Sequence, residues 1–93
     1  MYEEDNMEEF LKSLGITGNL QKSNSSYVMD INNSNDYGRI YSLLDKNEEV
    51  EEDPESSQVT MDYSSIQFFN DDYTIQLIAD FEHDEYRLTI KEN

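Results

Sequence analysis

The one histidine of the chain, His83, stands in the run Glu82-His83-Asp84-Glu85, where a neighbouring carboxylate can shift its titration. Nucleophilic catalysis needs more than that: a nucleophile, a base within reach and a third group that orients the base. No serine or aspartate is spaced to supply such a triad, so His83 reads as a surface residue in a turn. The 22 Asp and Glu residues allow an acid–base pair to be drawn almost anywhere, and that abundance carries no information without a cleft. Gly15, Gly18 and Gly38 match neither common phosphate-loop spacing. Asp45, Asn47 and Glu49 have the 1-3-5 spacing of an EF-hand loop. Val50 then stands where glycine is required, and Ser56 where a bidentate glutamate is required. The expectation is a protein that is not an enzyme and has no cofactor and no dedicated metal site, with at most weak, nonspecific divalent binding by Glu48–Glu55.

The charge is the more informative feature. The 93 residues hold 22 acidic and 6 basic side chains, a formal net charge of -16. Solubility of a small domain needs a magnitude of roughly 2–8, and the excess repels itself and lowers stability. Attraction to a basic partner is the plainest reason to keep it; a halophilic or simply acidic surface is the alternative. Nucleic acid would be repelled, since phosphate contacts need cationic side chains. An anionic membrane surface would be repelled too, and no apolar run approaches the roughly 20 residues of a membrane span. Met1-Tyr2-Glu3-Glu4-Asp5 is the opposite of a secretory n-region, and there is no cysteine. Together these suggest a reducing cytoplasm.

A length of 93 residues implies one domain, 1–93. Seven tyrosines and four phenylalanines, periodically placed, argue against general disorder. Met7, Phe10, Leu11 and Leu14 share one helical face. Asp5 or Asn6 is placed to cap that helix, Asn6 with Glu9 at capping-box spacing, and Gly15 to end it. A polar connection, 17–25, follows. The alternation of Tyr27, Met29 and Ile31, the turn-like cluster 32–36, and the run from Tyr37 to Leu44 suggest a β-hairpin. Six carboxylates in the eight residues Glu48–Glu55, with Pro54, suggest an acidic flexible loop over 46–58. Val59, Met61 and Tyr63 alternate and then slip phase at Ser64-Ser65, as at a β-bulge. Tyr73 to Phe81 and Tyr86 to Ile90 alternate without interruption. The expected architecture is α+β: one N-terminal helix packed on an antiparallel sheet of about five strands, a hairpin plus a three-strand meander.

These elements would place carboxylates on the solvent face of the sheet. Alternate residues of a strand share a face at spacings of roughly 6.7 Å, so Asp80, Glu82 and Asp84 form a row opposite the apolar face. Asp62 extends the array on the neighbouring strand and Asp30 on the first hairpin, while Asp71 and Asp72 cluster at one end. Glu48, Glu49, Glu51 and Glu52 form a second contact region in the acidic loop, or a mere solvated linker. Duplex DNA carries one charge per roughly 1.7 Å of axis, and arginine grips carboxylate and phosphate with the same bidentate geometry. A basic groove built for nucleic acid would accept such an array.

In size, charge, lack of cysteine and a helix beside antiparallel strands rich in Asn, Asp, Glu and Tyr, the chain resembles the small acidic proteins with which phages disarm host defences. These include anti-CRISPR inhibitors of Cas effectors and the DNA mimics that block restriction enzymes. The resemblance covers the whole chain in style, rests on no motif and transfers no residue by position. It implies a phage protein in the bacterial host cytoplasm whose partner is a basic nucleic-acid-binding protein. One such target is the site on Cas9 that reads the duplex motif beside the target with arginines. The chain itself would be a monomer, or a dimer paired through edge strands. The competing expectation is an immunity protein or antitoxin neutralising one cognate nuclease toxin through aromatic anchors such as Tyr37, Tyr41 and Phe69. A small-molecule binder lacks an evident pocket. A scaffold role has no sequence signal of its own.

Overall fold

The computed structural model describes residues 3–18, 20–24 and 26–93, with side chains described from Met7 onward. The expectations placed on Met1, Tyr2 and Ser25 lie outside the described residues. The chain runs α1 (Glu3–Ser13), β1 (Gln21–Ser23), β2 (Ser26–Ile31), α2 (Ser34–Lys46), β3 (Glu51–Val59), β4 (Tyr63–Phe69), β5 (Tyr73–Asp80) and β6 (Glu85–Glu92). All strands join one six-stranded sheet in the order β1-β2-β6-β5-β4-β3, each pair antiparallel. The fold is α+β with the N-terminal helix on the sheet, as the periodicity suggests.

Helix α1 starts at Glu3, so Asp5 and Asn6 fall inside it and not at its cap. Its far end is as expected. Gly15 takes φ +90, which glycine adopts without steric cost. Ile16 N–H then donates to Leu11 O over 2.9 Å, and Gly15 N–H to Lys12 O over 3.0 Å. This is a Schellman closure, with Leu11 and Ile16 both buried beside it.

The expected first hairpin is not formed. Its second arm is the helix α2, because Tyr37, Ile40, Tyr41 and Leu44 follow helical spacing and Asn33 acts as a cap. The Asn33 Oδ1 accepts from Asp36 N–H over 2.9 Å. Likewise 51–58, expected within the loop 46–58, belongs to the edge strand β3, which ends at Val59. An edge strand leaves half its backbone groups facing solvent, so it tolerates Pro54 and its carboxylates. The phase slip near Ser64 is not a bulge. β3 ends at Val59, a tight turn follows, and β4 runs in unbroken register with β5. The ladder irregularity lies in β3, between Asp53 and Gln58. There the Ser57 hydroxyl substitutes for a ladder group by accepting from Gln67 N–H over 3.1 Å. β1 forms inside the segment expected as a plain connection.

Both helices cover one face of the sheet. Met7, Leu11, Leu14 and Ile16 join Ile40 and Leu44 over Met29, Phe68, Ile75, Leu77, Leu88 and Ile90 in one buried cluster. Phe10 stacks on Tyr73 with centroids 4.7 Å apart. Among the described residues, the other face carries no helix. Burial of alternate residues on β2, β5 and β6 records this one-sided packing.

Candidate functional site

Register decides where the carboxylates stand. On the open face, one row across the strands reads Asp30, Arg87, Ile78, Ser65, Gln58. The next reads Val28, Thr89, Gln76, Gln67, Asp53. A third runs Lys91, Thr74, Phe69, Glu51. Neutral and basic side chains therefore interrupt the acidic ones, and Asp30 faces Arg87 directly. The continuous carboxylate array expected on this face is not formed. Asp62, Glu82 and Asp84 lie in turns beyond the strand ends, because the strands stop at Asp80 and start again at Tyr63 and Glu85.

The carboxylates gather at the two ends of the sheet instead. At one end the β3–β4 turn holds Asp62, and the β5–β6 turn holds Glu82 and Asp84 between Asp80 and Glu85. Hydrogen bonds fix these turns. Thr60 N–H donates to Tyr63 O over 2.7 Å, and Phe81 N–H to Asp62 O over 2.9 Å. His83 Nδ1–H donates to Asp80 Oδ2 over 2.8 Å, and His83 N–H to Asp80 Oδ1 over 3.2 Å. Asp84, at φ +54, accepts from the Tyr86 hydroxyl over 2.9 Å.

These contacts also set the local titration. The hydrogen bond from His83 holds the Asp80 carboxyl below its ordinary value. The same bond, with the Asp80 charge, holds the His83 imidazole above its own. The hydrogen bond to Asp84, then burial, raises the Tyr86 phenol.

At the opposite end, Glu48, Glu49, Glu51, Phe69, Asn70 and Asp71 line one open depression. Asp72 follows in the β4–β5 turn. Asn70 Oδ1 holds that turn by accepting from Asp72 N–H over 2.9 Å and Tyr73 N–H over 2.7 Å. Asn47 Oδ1 accepts from Glu49 N–H over 2.7 Å, ordering the link from α2. Glu52 is separated from this group. It pairs in register with Phe68 on the helix side, beside Tyr41, whose phenol is raised by burial first and by the Glu52 charge next.

The structure thus brings together Asp62, Asp80, Glu82 and Asp84 at one end and Glu48, Glu49, Glu51, Asp71 and Asp72 at the other. It leaves Asp30 and Glu52 apart. Of the expected aromatic anchors, Tyr37 and Tyr41 are half-buried against Tyr86 and Phe68, and Phe69 is 36 % exposed beside the second acidic group. Val59, Met61, Tyr63 and Phe81, which the alternation places along strands, are large apolar side chains that instead stand exposed around the first group, at strand ends and in the turns. The alternation runs unbroken through the turn at Thr60–Asp62, so the only local signal is the phase slip at Ser64-Ser65. Among the described residues, no group of three or more His, Cys, Asp or Glu side chains is arranged to hold a metal ion, and no helix is long and apolar enough to cross a membrane. Comparison with models of protein families, with curated proteins and with solved structures finds no match for this chain.

Proposed function

We propose that this protein is an inhibitor that binds the basic surface of a nucleic-acid-binding protein by substituting for the charge of DNA or RNA. Its most specific form is an anti-CRISPR protein that blocks target-DNA recognition by a Cas effector such as Cas9. The single observation that supports it is the grouping of carboxylates at both ends of one sheet on a chain of net charge -16. Eight-residue strands set the two groups about 25 Å apart, a span that a cationic channel for duplex nucleic acid can engage at both ends. Rigid placement limits the ordering cost of binding, and arginines that read phosphate or base edges accept carboxylate with the same fork. The protein acts by occupation and has no catalytic step.

The test is displacement of a labelled target duplex from guide-loaded Cas9. Displacement should be strong at low salt and should weaken steeply as salt rises. No displacement at low salt removes the Cas form of the proposal.

An immunity protein for one nuclease toxin is the second reading. It is favoured by Phe69, exposed among Glu48, Glu49, Glu51 and Asp71, an aromatic anchor with an acidic rim. Inhibition of one nuclease, tolerant of salt and absent across unrelated nucleic-acid-binding enzymes, would select it.

A further inference from the structure

Five large apolar side chains stand exposed among the described residues, and four of them, Val59, Met61, Tyr63 and Phe81, occur at the same end of the sheet. Met61 is 94 % exposed and Val59 69 %. Single exposed apolar residues are ordinary, but several gathered at one end of a sheet and rimmed by charge mark an interaction surface.

Packing explains why they stay uncovered. The helix-side row at this end runs Val59, Ser64, Ala79, Tyr86, Ile31. Tyr37 of α2 closes over its middle, with its hydroxyl 3.3 Å from Ser64 Oγ and its ring 5.6 Å from Tyr86. The helix does not reach Val59 at the edge. Phe81 leans on Tyr37 and Tyr86 with centroids 6.4 and 6.1 Å away, and its outer side remains open. Met61 stands in the β3–β4 turn, uncovered by any of the described residues. Tyr63 sits across from Asp80 on the other face.

Asp62, Asp80, Glu82, Asp84 and Glu85 surround this set. His83, itself bonded to Asp80, and Arg87, beside Asp80 and Glu85, are the basic side chains within it. A second copy would bring the same carboxylate rim against its own. Nucleic acid and anionic lipid are repelled for the same reason.

We propose that this end is the primary docking surface, and that its occupant is a basic protein segment presenting one apolar side chain flanked by Arg or Lys. The apolar side chain seats against Met61, Val59 and Phe81, while the flanking cations meet Asp62, Glu82, Asp84 and Glu85. The hydrogen bonds Phe81–Asp62 and Thr60–Tyr63 hold the surface ready before binding. The inference deepens the charge-substitution reading and rests on it. It adds an apolar anchor, which distinguishes this end from the more purely acidic one at Glu48, Glu49 and Asp71.

The test uses the full chain, labelled with nitrogen-15, and two synthetic peptides. One has a leucine centred in a run of arginines; the other has serine in its place. The proposal expects amide shifts concentrated at residues 60–64 and 81–85, and about tenfold tighter binding of the leucine peptide. The double variant Val59→Ser, Met61→Ser should remove that preference while leaving the serine peptide's affinity unchanged. Both side chains are exposed, so the variant keeps its core. Equal binding of the two peptides, with shifts shared by Glu48–Glu51 and Asp71–Asp72, overturns the anchor and leaves the charge reading standing. Binding of neither peptide at low salt overturns both. Concentration-dependent dimerisation through residues 59–63 and 81 also overturns the proposal, since the occupant would then be a second copy.

Discussion

The backbone N–H of Phe81 donates to the carbonyl of Asp62 over 2.9 Å, fastening the β5–β6 turn to the β3–β4 turn. Two segments almost twenty positions apart in the chain are thereby held as one surface. An exposed aromatic residue and an exposed acidic residue are joined through their backbones. Asp80 faces Glu85 across the β5–β6 ladder next to that bond. Directly opposed like charges strain a ladder, and the contact of His83 with Asp80 offsets part of that strain.

Relieving that strain should raise stability and lower binding together. Glu85→Lys replaces a like-charge pair with an opposite-charge pair. Its melting temperature is expected to exceed that of the parent, while its affinity for a basic partner falls, the usual opposition between stability and a functional surface. Thermal unfolding followed by circular dichroism, with binding measured on the same samples, checks both. A variant that is less stable, or that binds as tightly as the parent, contradicts this account of the end.

The two acidic ends should differ in weight. Lysine substitutions at Asp62, Glu82 and Glu85 should weaken binding more than lysine substitutions at Glu48, Glu49 and Asp71. None of these six side chains makes a hydrogen bond within the described residues, so both triples should stay folded. Calorimetric titration against one partner ranks them. Equal losses would make the interaction a matter of total charge alone.

Gly38 lies within α2 with nothing within 4 Å of where a Cβ would stand. Glycine inside a helix costs about 1 kcal/mol relative to alanine. Gly38→Ala should therefore stabilise the fold by about 1 kcal/mol and raise the melting temperature by roughly 4–8 °C. Denaturant unfolding with an unchanged m-value is the expected signature. A loss of stability would mean that α2 is not helical at this position.

The His83–Asp80 contact predicts a sign for the pH dependence. The imidazole is raised in the folded state, so its contribution is complete below the ordinary histidine value, about 6.5, and is lost as pH rises through the raised folded value. The Asp80 carboxyl is lowered, so its contribution is present above the ordinary carboxylate range and is lost as pH falls through the depressed value. His83→Gln should consequently lower the melting temperature at about pH 6 and have little effect at about pH 9. A proton-resolved titration of His83 should place its midpoint above that of a free histidine. A lower midpoint contradicts the contact.

What could be read from the sequence follows from which signals are local. Helix α1 and the strands β5 and β6 carry a clear period, and Gly15 marks its helix end through a backbone conformation that it alone adopts freely. β4 has no such period, and its start at Tyr63 is hidden by the alternation of Val59, Met61 and Tyr63 across a turn. Residues 37–44 failed because a short apolar run satisfies both periods. Asn33, which belongs to turns and to helix caps alike, removed the distinction. β3 failed because charge and Pro54 argue against a buried strand but not against an edge strand, and only the pairing with β4 reveals which it is. The acidic site was legible as a quantity and not as a place. Register between strands far apart in the chain decides whether Asp30 faces Arg87 or another carboxylate, and nothing local to Asp30 specifies that.

The most direct measurement is competition on the immobilised full chain. A bacterial protein retained at low salt is challenged with duplex DNA and, separately, with added salt. Charge substitution predicts that the retained protein binds nucleic acid, that DNA releases it in proportion to its affinity for DNA, and that salt does the same. A partner with no affinity for nucleic acid, or one that saturating DNA fails to release, contradicts the account.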